Sequence, residues 1–131
     1  MGMLHGLLLA AVAACFSSQA VASDRWTELA EESERLTSTL SGRAWEHQML
    51  SAHTQFWPSV YKECSAQAAE SGVKRFSAIA VIDSTGMVKE FLINPDSPHL
   101  DCFSRSMVGR KYPAPPSAPF YELFKVNLDS R

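Results

Sequence analysis

Two runs of strand-forming residues around a short turn constrain the fold of this chain more than any other feature. The first run covers 75–82 and the second covers 87–93, and both are rich in apolar and β-branched residues. The turn at 83–86 reads Asp-Ser-Thr-Gly, and a short loop containing glycine joins antiparallel strands. The second run ends before Pro95. The sequence therefore predicts a β-hairpin.

The residues before the hairpin have helical periodicity. Apolar positions in 24–40 recur at helical spacing, and Ser41-Gly42 is a typical helix end. A second periodic stretch follows, and Pro58 interrupts it. We therefore predict one helix over 44–55 and a fresh helix that has Pro58 in its first turn and ends before Gly72.

A short helix and a strand follow the hairpin. Pro98 precedes an amphipathic stretch that Gly109 closes, and four prolines within 113–119 then lead to a strand-forming run over 120–128. From Pro58 onward the predicted order is α-β-β-α-β. We expect an α+β fold in which helices pack on one face of a small antiparallel sheet, formed by the hairpin and the carboxy-terminal strand. One or two further helices precede it.

The amino-terminal segment resembles an export signal. Leu7 to Phe16 is an uninterrupted apolar run, and no Asp, Glu, Lys or Arg occurs before Asp24. Ala20-Val21-Ala22 fits the small-residue pattern of a cleavage site. These features predict a signal peptide over 1–22, a helical extension over 23–57 and a domain over 58–131. The expected location is the periplasm or the cell exterior.

Cys15 leaves a second route of processing open. It ends the sequence Val-Ala-Ala-Cys at 12–15, which resembles a bacterial lipobox. In that case Cys15 would be lipidated and the protein would be anchored in the envelope. Contact with a membrane is expected only on this route.

The two remaining cysteines, Cys64 and Cys102, are expected to form a disulfide. An even number of cysteines in an exported chain more often forms a cystine than two free thiols. Neither residue belongs to a C-x-x-C motif.

The sequence gives little support for a nucleic-acid-binding, metal or catalytic site. The formal net charge of −2 argues against a nucleic-acid-binding protein. His47 and His53 are six residues apart and do not share a helix face, and neighbouring residues of the His99, Asp101 and Cys102 group point apart on a helix. We expect no metal site, no cofactor and no catalytic residues, and therefore not an enzyme.

The carboxy-terminal sequence resembles that of a known family. Residues 111–117 read Lys-Tyr-Pro-Ala-Pro-Pro-Ser, and 120–125 read Phe-Tyr-Glu-Leu-Phe-Lys. This sequence follows a helix, a hairpin and a second helix. In that order it resembles the carboxy-terminal domain of TolA and, more loosely, that of TonB. The resemblance covers roughly 58–129. It implies a non-enzymatic periplasmic domain that binds envelope proteins, often by pairing a partner segment with an exposed sheet edge.

Independently of this resemblance, the prolines favour a binding function, because they hold the chain extended ahead of the last strand. If that strand is an edge, its free backbone groups can accept a partner strand. The expected partner-binding residues lie in this strand: Tyr121, Glu122, Leu123, Phe124 and Lys125.

Two alternatives stay open at this point. The last strand is an ordinary core element in one of them, with Glu122 and Lys125 merely solvated. In the other, the protein is a secreted inhibitor or immunity-type protein that blocks an enzyme or a toxin.

Overall fold

A computed structural model describes residues 18–129 of the chain. The predicted signal peptide and Cys15 lie largely or wholly outside these residues. The described chain forms an α+β fold, as predicted. Its elements, in chain order, are α1 (Ser18–Thr37), α2 (Leu40–Ala69), β1 (Arg75–Ile82), β2 (Val88–Asn94), a 3-10 turn (Pro98–Leu100), α3 (Asp101–Met107) and β3 (Phe120–Asn127).

The three strands form one antiparallel sheet in the order β2-β1-β3. The hairpin between β1 and β2 is confirmed, and β1 has the predicted bounds. Within the turn, the Asp83 side chain accepts hydrogen bonds from the backbone N–H groups of Thr85 and Met87. Gly86 has a φ of 93° and lies against the Tyr112 carbonyl, where a Cβ would come within 2.0 Å of the oxygen. The turn therefore requires glycine at this position.

Helices cover both faces of the sheet. On one face, α2 and α3 bury four alternate side chains of β1, namely Phe76, Ala78, Ala80 and Ile82. Ile79 points to the opposite face and is completely buried there. On α1, Arg25 donates to Glu90 at 2.8 Å, and Glu90 pairs with Val81 on the same face as Ile79. The amino-terminal helix α1 therefore forms a layer on this second face.

The predicted helix break at Pro58 is wrong, because α2 continues through it from Leu40 to Ala69. Proline removes one helical hydrogen bond, which would have ended at the Thr54 carbonyl. Both Thr54 and Pro58 are exposed, so water can solvate that carbonyl. On either side of the proline, Trp57 and Val60 pack into the core. Burial of this face outweighs the local preference for a break.

The predicted helix end at Ser41-Gly42 is also wrong. The first helix ends at Thr37, and Gly42 lies in the first turn of α2. Thr39 caps α2, because its side-chain oxygen accepts the Gly42 N–H at 3.0 Å. A Cβ at position 42 would lie 2.0 Å from the Leu36 carbonyl oxygen. Glycine therefore permits the close contact between the end of α1 and the start of α2.

The disulfide between Cys64 and Cys102 is confirmed. It joins α2 to α3 with a Cα–Cα distance of 5.4 Å and closes a separation of 38 residues. None of the helices described by the structure combines the length and the apolar character needed to cross a membrane.

Candidate functional site at the edge of β3

The outer edge of β3 carries unpaired backbone groups. The Leu128 N–H donates to the Lys74 carbonyl at 2.8 Å, next to the β1–β3 ladder. Backbone groups alternate in direction along an antiparallel strand, so even-numbered residues of β3 bond to β1 and odd-numbered ones face outward. The outward N–H and C=O groups of Leu123 and Lys125 have no hydrogen-bond partner within residues 18–129.

The opposite edge of the sheet, on β2, is bonded at Val88 and at the Phe91 carbonyl. The Ser104 hydroxyl on α3 donates to the Phe91 carbonyl at 2.8 Å. The Val88 N–H donates to the Arg110 carbonyl and the Val88 carbonyl accepts the Gly109 N–H, both at 2.9 Å. Bonds of this kind hinder pairing with a further strand along this part of β2. On β2 the outward groups of Ile93 remain unpaired within residues 18–129, whereas β3 offers such groups at both Leu123 and Lys125. A further strand is therefore favoured at β3.

An aromatic groove follows the β3 edge on the side of α2. Its volume is about 560 Å³, and its walls are His53, Trp57, Pro58 and Tyr61 of α2 together with 124–127 of β3. The α2 rings are half-buried and face the strand. Apolar walls with a few polar groups beside an open strand edge suit the side chains of an extended peptide.

His53 is a polar group in the wall of the aromatic groove. Its ring stacks on Trp57 and Phe124 at centroid distances of 5.1 and 4.9 Å, and its Nδ1 lies 2.8 Å from the Tyr112 hydroxyl. Burial lowers the pKa of His53 to about 4. The imidazole is therefore neutral at physiological pH and serves as an uncharged ring that can exchange a hydrogen bond with Tyr112.

A second, acidic cavity borders the same edge, between α1 and Glu46 of α2. It has a volume of about 580 Å³. Its walls are residues of α1, Glu46 of α2, and Glu122, Leu123 and Lys125 of β3. Glu122 is only 4% exposed, and its Oε2 has no hydrogen-bond partner in the described chain. Burial first, and the neighbouring Glu46 carboxyl second, raise the pKa of Glu122 to about 9. The pair therefore holds a proton at neutral pH.

The predicted partner-binding residues divide between two faces of β3. Tyr121, Leu123 and Lys125 lie on the face of α1, and Lys125 is exposed. Glu122 and Phe124 point to the face of α2, where Glu122 meets Glu46 and Phe124 stacks on the His53 ring. The alternative in which Glu122 is merely solvated is wrong, because its side chain is buried.

Sequence reasoning missed Glu46 and His53. They are seven residues apart on α2, so they share a helix face. That face borders the apolar stripe that includes Met49 and Phe56. Two polar residues bordering an apolar stripe were the available signal.

The other residues considered for metal binding do not form a site. His99 lies 3.6 Å from Glu70. Within residues 18–129 no group of three or more His, Cys, Asp or Glu residues is arranged to hold a metal ion.

The chain matches no protein-family model, no curated protein and no solved structure. The resemblance to the TolA and TonB carboxy-terminal domains therefore stays a prediction from the sequence.

Proposed function

We propose that this is an exported, non-enzymatic binding protein of the bacterial envelope, which accepts an extended segment of a partner protein along the edge of β3. The partner segment adds a fourth strand to the sheet beside β3. Its backbone bonds to Leu123 and Lys125, and its side chains enter the aromatic groove and the acidic cavity. This is the mode of recognition that the TolA-like sequence implies.

The observation that carries the proposal is the difference between the two sheet edges. The β2 edge is partly occupied by Ser104 and by 109–110, whereas the outward groups of Leu123 and Lys125 are unpaired in the described chain. Each backbone hydrogen bond gained by a partner contributes a net of about 0.5–1.5 kcal/mol. The flanking cavities add apolar burial and selectivity. An open edge with cavities on both sides favours a binding role.

The chemistry of the chain supports the proposed location. A disulfide between Cys64 and Cys102 is compatible with a compartment outside the cytoplasm. Together with the apolar segment before Asp24, it supports export to the periplasm or beyond. The anchored form through Cys15 remains the alternative within this proposal.

The variant Lys125→Pro tests the proposal. Its proline removes one outward N–H, and proline is tolerated in an edge strand where the N–H faces away from the ladder. We expect about tenfold weaker retention of the partner in affinity capture from oxidised envelope extract, because one backbone bond is lost and the ring blocks close approach.

Lys125→Ala is the matched control, since it removes the side chain and keeps the N–H. It should retain the partner about tenfold better than the proline variant does. Circular dichroism checks that both variants fold. Equal capture by the folded proline and alanine variants would move the binding surface away from the β3 edge.

A further inference from the structure

The acidic cavity contains a buried carboxyl pair that lacks a partner. Glu122 on β3 and Glu46 on α2 are close enough to share a hydrogen bond when one of them is protonated. When both are ionised, Glu122 Oε2 has no donor among residues 18–129. A buried carboxylate without a donor is strongly disfavoured. The arrangement is suited to a cationic donor supplied from outside the chain.

The charges around this pair are predominantly negative. Glu31 and Glu34 line the cavity from α1, and Lys125 lines it from β3. Tyr112, the other titratable group near Glu122, stays uncharged because burial raises its pKa. Lys125 makes no ion pair in the part of the chain that the structure describes. The cavity therefore favours a positively charged ligand.

The position of the pair identifies the source of that ligand. Glu122 is the immediate neighbour of Leu123, and Leu123 lines the same cavity. A strand added beside β3 would lie about 4.8 Å away, so a long side chain on it can reach the pair. We propose that the Glu46–Glu122 pair binds the ammonium or guanidinium group of a lysine or arginine on the partner segment. This inference rests on the proposed function and specifies the chemistry of the partner.

Binding at this site exchanges one cation for another. The shared proton leaves the carboxyl pair for solvent, and the ammonium or guanidinium group donates hydrogen bonds to both carboxylates. No covalent bond changes. Because the free pair holds a proton at neutral pH, binding releases it. Affinity therefore rises as the pH increases toward the pKa of Glu122, near 9.

The experiment uses the full, disulfide-bonded chain with carbon-13-labelled glutamate, followed by NMR of the carboxyl groups across pH. The probe is n-butylammonium chloride, with sodium chloride at equal ionic strength and n-butanol as controls. We expect n-butylammonium to lower the apparent pKa of the Glu46–Glu122 pair by about one pH unit at about ten times its dissociation constant. Neither control should produce this shift.

Glu122→Gln is the matched variant, because glutamine has the same shape and its amide can donate to Glu46. We expect it to bind n-butylammonium about 10- to 100-fold more weakly than the wild type, since the cation then meets one carboxylate. An unmoved titration, an equal shift with n-butanol, or equal affinity in the variant would each overturn the inference.

These outcomes are separate from those that decide the proposed function. A partner that is lost by Lys125→Pro and fully retained by Glu122→Gln would preserve strand addition and remove the cation site.

Discussion

Replacing Cys64 and Cys102 together by alanine is expected to lower the free energy of unfolding by about 4 kcal/mol. The disulfide closes a separation of 38 residues, and a loop of this length restricts the unfolded chain substantially. Since small domains have total stabilities of about 5–15 kcal/mol, the loss is a large share of the total. Urea unfolding followed by circular dichroism measures it.

The reductant dithiothreitol provides the control for the cystine. It should destabilise the wild type to a similar degree and leave the double alanine variant unchanged. If the wild type unfolds at the same urea concentration with and without dithiothreitol, the disulfide does not stabilise the fold.

The second large effect is a loss of stability at alkaline pH that Glu122→Gln removes. Burial and then Glu46 raise the pKa of Glu122 from 4.5 to about 9. Between these values the folded chain keeps a proton that the unfolded chain releases. Stability therefore falls as the pH rises, by about 1.4 kcal/mol per pH unit for one group.

His53 has the opposite influence on the stability of the fold at lower pH. Burial lowers its pKa from 6.5 to about 4, so the unfolded chain binds a proton that the folded chain does not. Stability from His53 is thus lost as the pH falls below 6.5. The two effects oppose each other between pH 4.5 and 6.5. The contribution of Glu122 is consequently clearest above pH 6.5.

The measurement compares urea unfolding of the wild type and Glu122→Gln at several pH values. Between pH 6.5 and 9 the wild type should lose about 3 kcal/mol relative to the variant. Glu34→Gln, an exposed change at the same cavity, should keep the slope of the wild type. Parallel curves for the wild type and Glu122→Gln would show that Glu122 does not retain a proton in the folded chain.

Local patterns predicted the sheet well. The first strand has the predicted bounds, and β3 begins at Phe120 as expected. Both strands follow from short-range signals: a glycine turn in one case and a proline-rich approach in the other. The pairing of Cys64 with Cys102 was predicted from the number of cysteines and from the predicted export signal alone.

The helices were less predictable because tertiary contacts override local preferences in them. Pro58 normally interrupts a helix, yet the packing of Trp57 and Val60 keeps α2 continuous. Gly42 normally ends a helix, yet here it permits a close contact with Leu36 at the start of one. Neither effect can be read from neighbouring residues, since both depend on what packs against the helix.

The sequence predicted the strand that carries the candidate site, but not the chemistry around that strand. The predicted residues in 121–125 do lie on the strand with the open edge. Alternation then places Glu122 against Glu46, which is 76 positions away in the chain. Which part of the β2 edge is bonded depends on Ser104 and on the segment after α3. Such long-range pairings are invisible to a pattern read along the chain.

Amide hydrogen exchange along β3, measured residue by residue by NMR on the oxidised chain, tests the central claim most directly. If the β3 edge is open, Leu123 and Lys125 exchange much faster than Glu122, Phe124 and Val126, whose N–H groups bond to β1. Fast and slow amides would then alternate along the strand. Uniformly slow exchange at all five positions would mean that the edge is already occupied, and would contradict strand addition at β3.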